Sequence, residues 1–263
     1  MKLFIKNLKK YWKYTIYAVK AELNAEVSDS YLGALWWLLD PICFMLIYTF
    51  VTTFVFGAKE DYFPVFCFIG LTTWNFFNKT ISQSVTLVRQ NKGVVTKVYV
   101  PKYILVLEKM GVFLFKMFIA YILVFIMMVL YGVPVTWLAF VYFIPITAVL
   151  ITLTFGGACI LMHYGVFVED LAYVTDILLK LVFYLSGIFY SITIRLEGQK
   201  LIADILLKLN PIAFLMQQYR NVLLYSTPAD LVWLGIWFAI GLAVSLVGIH
   251  LIRKYENSYA KVV

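Results

Sequence analysis

Charge is scarce in this chain. Asp, Glu, Lys and Arg make up 14% of its 263 residues, whereas a soluble domain carries about 25%. That is too little to cover a water-facing surface. Cysteine and histidine are scarcer still. Cys43, Cys67 and Cys159 fall inside apolar runs without metal-ligand spacing, and read as small buried hydrophobes. His163 and His250 lie far apart near expected helix ends, where a lone histidine is more often a satisfied residue than a ligand or base. The sequence contains no Gly-Lys pair, which excludes the Gly-rich loop and lysine of a P-loop phosphate cradle. H-E-x-x-H, C-x-x-C and G-x-S-x-G are also missing. The expectation is a chain with no catalytic residues, no metal site and no nucleotide site of its own.

What is present is apolar length. Hydrophobic residues reach 63%, with a mean hydropathy of +0.88. Six apolar stretches, at about 33–56, 63–86, 103–130, 136–162, 171–192 and 229–252, each exceed the roughly 20 residues that cross a hydrocarbon core. Turn residues separate them: Gly57 to Pro64, Gly93 to Pro101, Gly132 to Pro134, and Gly165 to Asp170. Pro101 and Pro134 suit the first turn of the helices that follow. The fold class expected is all-α, a polytopic membrane protein with six transmembrane helices.

The segment before the first span differs. Leu8, Trp12, Ile16, Val19, Leu23 and Val27 recur at helical spacing, while Lys6, Lys9, Lys10, Lys13 and Lys20 fall largely elsewhere. A basic amphipathic helix of this kind lies in the membrane interface; the alternative is a helix packed on a soluble partner. No apolar core with a cleavage site follows the basic start, so a secretory signal peptide is not expected. Residues 1–29 are therefore set apart from a transmembrane unit at 30–263.

Lys and Arg give the orientation. With the N-terminus inside, thirteen fall on the cytoplasmic side, against five outside: Lys59, Arg195, Lys200, Lys208 and Arg220. Positive charge collects in the cytoplasm, so both termini are expected there. The stretch 193–227 is too broken for a span. Ile202, Ile205, Leu206 and Leu209 keep helical spacing until Asn210-Pro211, and a second helical run leads to Arg220. Two short helices at the outer face are expected.

Several charges fall inside the spans. Asp40 costs about 2.5–3.5 kcal/mol at a helix centre, so it must face protein, water or an interface. Asp176 and Lys180 are spaced to pair along one helix. Lys109 and Lys116, with Glu108 adjacent, project from one side of the third span. Such residues mark a substrate path or serve in structural pairing and snorkelling. Aromatic residues, 18% of the chain, cluster at Trp36-Trp37, Trp74, Phe76-Phe77, Tyr184 and Phe189-Tyr190. They can stack on sugar rings or form the interfacial aromatic belt.

Three segments carry a resemblance: SYLGALWWLLDPICFMLIYTFVTTFVFG (Ser30 to Gly57), VVTKVYVPKYILVLEKM (Val94 to Met110), and FYLSGIFYS with LNPIAFLMQQYRNVLL (Phe183 to Ser191, Leu209 to Leu224). Their order resembles the permease subunit of bacterial type 2 ABC transporters that export polysaccharide, O-antigen, capsule or teichoic acid. Glu169-Asp170, Ser186-Gly187 and Asp40 depart from the family's usual residues at those places.

The resemblance implies a second copy of the chain and two cytoplasmic ABC ATPase subunits holding ATP and Mg, with no cofactor on this chain. Its cargo would be a lipid-linked glycan or polyol-phosphate polymer, moved through the cytoplasmic membrane with no nucleic acid involved. A substrate path would use Tyr31, Trp36, Trp37, Tyr48, Tyr173, Tyr184 and Tyr190. Arg89, Lys92 and Lys97 would receive the lipid's phosphates, and Val94, Val95, Glu169 and Asp170 would couple to the ATPase. Asn210, Pro211 and Arg220 would belong to an outer gate. Two alternatives are an exporter of a drug or single lipid, and an intramembrane lipid-sugar transferase built on Glu169-Asp170.

Overall fold

The computed structural model describes residues 2–28, 31–51, 54, 62–97, 99–195 and 198–262. Gly57 and Lys59 lie outside the described residues, as do the side chains of Tyr48 and Val94. The described chain is helical: α1 (Lys2–Ser28), α2 (Trp36–Phe50), α3 (Phe63–Gln90), α4 (Lys92–Lys97), α5 (Tyr103–Leu130), α6 (Trp137–Phe167), α7 (Leu171–Leu185), α8 (Ile192–Arg195), α9 (Lys200–Leu209), α10 (Pro211–Leu223) and α11 (Leu231–Val262). A short 3-10 turn, Gly33–Leu35, leads into α2.

Among the described residues, three helices are long and apolar enough to cross a membrane: Tyr103–Leu130, Trp137–Phe167 and Leu231–Tyr259. Segments Phe4–Ser28 and Gly33–Ile47 qualify together, but they meet at 100°. The other expected spans are shorter or more polar. α2 and α7 have 15 residues each, about 22 Å at 1.5 Å per residue. α3 is long, but Asn75, Asn78, Lys79, Gln83 and Arg89 dilute it. The fifth apolar stretch stops at Leu185, because Gly187 takes φ +63 and turns the chain. Pro64 and Pro211 open α3 and α10, where a missing N–H costs nothing. Pro101 and Pro134 lie just before their helices instead of in the first turn.

Close contacts fix the helix directions. On α6, the series Thr152, Gly156, Cys159, His163 meets Ser245, Gly248 and Tyr259 of α11 in rising order, so the two are parallel. A Cβ on Gly156 would lie 2.7 Å from Ser245 N, and one on Gly248 2.7 Å from Cys159 Cβ. These glycines allow the backbones to touch, as small residues do between membrane helices. α3 is parallel to α6 in the same way, with Ile81 against Gly157 and Val85 against Gly165. α5 runs opposite to α3, with Thr73 bonded to Tyr121 while Lys79 and Lys116 share one cavity. The bundle therefore has two ends. Arg89, α4, Lys102 and the last turns of α11 share one, and the starts of α3 and α6 share the other with α10.

α1 packs on the first half of α5, with Phe4 against Tyr103 and Val19 against Gly111. Of the apolar stripe along α1, Leu23 is buried and Val19 half-buried, whereas Trp12 and Ile16 are exposed. The partly buried Glu22 belongs to the packed face, because Lys109 on α5 supplies its counter-charge.

Candidate functional site

Each end of the bundle gathers functional candidates from distant parts of the chain. At one end, Asn210 closes α9 and opens α10. Its Oδ1 accepts from Ile212 N at 3.1 Å and Ala213 N at 3.2 Å, and its Nδ2 donates to Ser186 Oγ at 3.0 Å. The first two bonds satisfy donors that a helix start leaves unpaired; the third ties the helical hairpin to the end of α7. α9 and α10 thus form where Asn210-Pro211 divides the sequence.

Arg220 lies in the last turn of α10 and is only 2% exposed. Its Nη1 donates to Gly187 O at 2.9 Å, and Nη2 to Ile188 O at 2.8 Å. Nε and Nη2 both reach Phe66 O at 3.3 Å, and the guanidinium carbon sits 3.4 Å from the Phe66 ring centroid. The planar fork of arginine suits this combination of carbonyls and ring face. One side chain therefore joins α10, the first turn of α3 and the turn after α7. Gly70 leaves room for it, since a Cβ there would come within 2.6 Å of Nη2. Beside it, Tyr219 shares a 2.6 Å hydrogen bond with Thr147 and packs on Tyr121 and Phe143.

At the opposite end, Arg89 Nη1 is 3.3 Å from Glu169 Oε1, and its Nη2 donates to Val166 O at 3.3 Å. The ion pair joins the end of α3 to the loop before α7, where Asp170 is also exposed. Lys92 and Lys97 are exposed on α4, whereas Val95 is buried beneath it. Lys102 Nζ donates to Val95 O at 3.3 Å. Burial lowers the pKa of Lys102 from its ordinary 10.5, with Glu256 opposing the shift. Glu256 accepts from Tyr99 OH at 3.2 Å. His163 is buried with its Nδ1 2.7 Å from Tyr259 OH, among Tyr164, Phe167 and Tyr255.

The aromatic candidates divide by exposure. Tyr31 is fully exposed, and Trp36, Tyr173 and Tyr184 are also outward. Tyr190 donates to Tyr184 O at 2.7 Å and caps the end of α7. Trp37 is held from three sides: Nε1 donates to Glu26 Oε2 at 3.2 Å, Phe115 meets the ring edge-on at 5.7 Å, and Lys116 lies 5.9 Å from the ring centroid. Lys116 itself pairs with Glu26 at 2.5 Å, and Lys109 pairs with Glu22. The in-span lysines are thus matched by carboxylates of α1, which nothing within their own helix announces. Asp176 and Lys180 pair at 2.8 Å on the exposed face of α7. Cys67 and Cys159 are buried, but Cys43 is exposed on α2. Among the described residues, no group of three or more His, Cys, Asp or Glu is placed to hold a metal ion.

No family model matches the sequence. Individual proteins do. The chain is 28% identical over 219 residues to the O-antigen export system permease protein RfbA of Myxococcus xanthus, covering 83% of each chain. It is 25% identical over 244 residues to an RfbA permease protein of Klebsiella pneumoniae, covering 92% of this chain and 91% of that one. A second Klebsiella pneumoniae RfbA protein matches the same shares at 23% identity. With its long apolar helices and near full-length matches, this multi-pass membrane protein is a distant homologue of O-antigen export system permease proteins.

Proposed function

We propose that the chain is the membrane permease of an ABC exporter that carries a lipid-linked cell-surface polysaccharide across the cytoplasmic membrane. The observation that carries this reading is the match to O-antigen export permeases over 83–92% of the chain, in a bundle where α5, α6 and α11 are long and apolar enough to span a membrane. The sequence holds no P-loop, so ATP and Mg belong on a separate ATPase subunit, two copies of which would serve two copies of this chain.

Helix direction supports six crossings. α6 and α11 are parallel, which supports a return across the bundle within residues 168–230, with α7 as the returning helix. α3 runs opposite to α5, which calls for a crossing by α2 before it. α5 is about 42 Å long, some 12 Å more than the hydrocarbon requires. The surplus is its charged first turns, where α1 packs. The thirteen-to-five excess of Lys and Arg supports a cytoplasmic location for that end and for both termini.

Arg89, Lys92, Lys97, Val94, Val95, Glu169 and Asp170 then face the ATPase and the lipid's phosphates. The hairpin of Asn210, Pro211 and Arg220 closes the outer end. α2 and α7 keep apolar faces outward, including Phe44, Ile47 and Phe50, and Tyr173, Ile177 and Tyr184. A second copy covering these faces would place Tyr31, Trp36, Trp37 and Tyr48 opposite Tyr173, Tyr184 and Tyr190 along a sugar-stacking path.

Co-expression with the neighbouring ATPase gene, with purification by a tag on one subunit, tests the reading. A stable complex whose ATPase rate depends on the permease is expected, together with loss of surface polysaccharide on depletion. Absence of a complex with unaltered ATPase activity would overturn it. Unchanged envelope glycan on depletion would turn the cargo to a drug or single lipid.

A further inference from the structure

α3 carries a polar stripe along one face. Asn75, Asn78, Lys79, Ser82 and Thr86 follow the spacing of a single side of a helix. Gln90 ends the row, its Nε2 donating to Thr86 Oγ1 at 3.0 Å. Lys79 and Ser82 are exposed, and Asn75 and Asn78 are half-buried. The side chains of these four form no hydrogen bond or ion pair with other described residues, and their polar atoms are open instead of sealed inside the protein. The stripe lies in the gap between α2 and α7, both of which pack on α3. On one side Trp74 meets Phe183 of α7 at 5.4 Å. On the other, Asn75 and Lys79 border a cavity shared with Asp40 and Pro41 of α2.

Depth decides what meets this face. Lys79 shares that cavity with Lys116, which stands about 20 Å from either end of α5 at 1.5 Å per residue. The stripe therefore reaches the middle of the bundle, past the surplus length of α5. A lysine can snorkel toward the interface, but the short side chains of Asn75, Asn78 and Ser82 cannot. Lipid tails offer them no partner, and an amide or hydroxyl left unpaired in hydrocarbon is costly. An apolar face of a second copy would serve them no better. Water satisfies all four. Toward the start of α3 the same face changes character. Leu71 and Phe68 continue the spacing of the stripe but are only 5% and 0% exposed, so the polar row ends where a buried apolar plug begins.

We infer that α3 lines a water-filled half-channel, entered at the Arg89 end and running past Ser82 and Lys79 to Asn75, with Leu71 and Phe68 closing it beyond. For its orientation and cargo the inference rests on the export reading, which it deepens. The path proposed there is aromatic, on α2 and α7. The groups that keep it wet stand on α3 between them, where amides and a hydroxyl can exchange bonds to water for bonds to a polymer's hydroxyls.

Cysteine accessibility tests it, in the full chain co-expressed with its ATPase partner in inside-out membrane vesicles. Cys43, Cys67 and Cys159 are first replaced by alanine. Single cysteines are then placed by Asn75→Cys, Asn78→Cys, Lys79→Cys and Ser82→Cys, with Ile122→Cys on α5 and Leu242→Cys on α11 as exposed mid-helix controls. A membrane-impermeant cationic methanethiosulfonate is added from the cytoplasmic side without ATP. It attacks the thiolate, which hydrocarbon suppresses, so the four α3 positions should react about tenfold or more faster than the controls. Phe68→Cys and Leu71→Cys should react no faster than the controls. Lys79→Cys and Ser82→Cys replace exposed residues and keep the test decisive if an asparagine variant fails to assemble. Control-level reactivity at all four positions, or equal reactivity of Phe68→Cys and Asn75→Cys, would overturn the half-channel. Use by the polymer is read from surface polysaccharide. Asn75→Leu with Asn78→Leu should lower it severalfold while the complex still co-purifies, and glutamine at both positions should restore it; full export from the leucine pair would overturn that role. An envelope indifferent to deletion of the whole chain, with the four cysteines still reactive, sinks the export reading and leaves the half-channel standing.

Discussion

The guanidinium of Arg220 lies over the ring of Phe66, 154 residues away in sequence, with its carbon 3.4 Å from the ring centroid. The contact closes the bundle at one end, since the same group also holds Gly187 O and Ile188 O.

Arg220→Lys keeps the charge but loses the fork, because a single ammonium cannot serve three carbonyls and the ring face together. The expected loss is about 2–3 kcal/mol, the worth of one or two charge-assisted hydrogen bonds. A lower thermal midpoint of the purified permease checks it. Gly70→Ala should move the midpoint the same way, as its Cβ would press on Nη2. A midpoint unchanged in both variants would show that this junction carries no stability.

Asn210→Ala removes both the cap of α10 and the bond to Ser186. A lost cap costs about 1 kcal/mol. Asn210→Ser should recover the cap while leaving Ser186 without its donor. Limited proteolysis between α7 and α9 should therefore rank wild type, serine and alanine in increasing order of cleavage.

Glu26 joins Lys116 to the Trp37 indole. Glu26→Gln and Lys116→Met should each destabilise, and together by less than their sum. Groups in direct contact couple by about 0.5–3 kcal/mol. A double-mutant cycle on thermal stability measures this; strict additivity would mean that the pair contributes nothing.

Lys102 gives a pH dependence. Burial disfavours its charged form, so its folded pKa lies below the unfolded 10.5. Between those values the unfolded chain binds more protons, and stability rises with pH. The penalty is complete below the folded value and is relieved as the pH climbs toward 10.5. Across this alkaline range the thermal midpoint of wild type should rise relative to that of Lys102→Met.

Local chemistry made part of this molecule readable in its sequence. The break at Asn210-Pro211 combines a capping side chain with a residue that can only begin a helix, and α9 and α10 divide there. α5, α6 and α11 announce themselves by apolar length alone. The end of α7 is different. Apolar residues continue past Leu185, and what stops the helix is a positive φ at Gly187 together with an arginine from far along the chain. The packed face of α1 was hidden for a related reason. Glu22 reads as polar and outward until Lys109 is placed opposite it. At the candidate sites, Arg89 and Glu169 were visible as separate features, and only the parallel packing of α3 and α6 brings them together.

The glycine-lined seam between α6 and α11 has a consequence for how the chain is made. α6 enters the membrane before α11 has been synthesised, so Gly156, Cys159 and the carbonyl of Thr152 begin their time in the bilayer against lipid. Sliding α11 home converts that exposed groove into backbone contact and gives Ser245 its acceptor at 2.9 Å. A chain stalled before α11 therefore leaves this groove open to lipid, and completing the chain covers it.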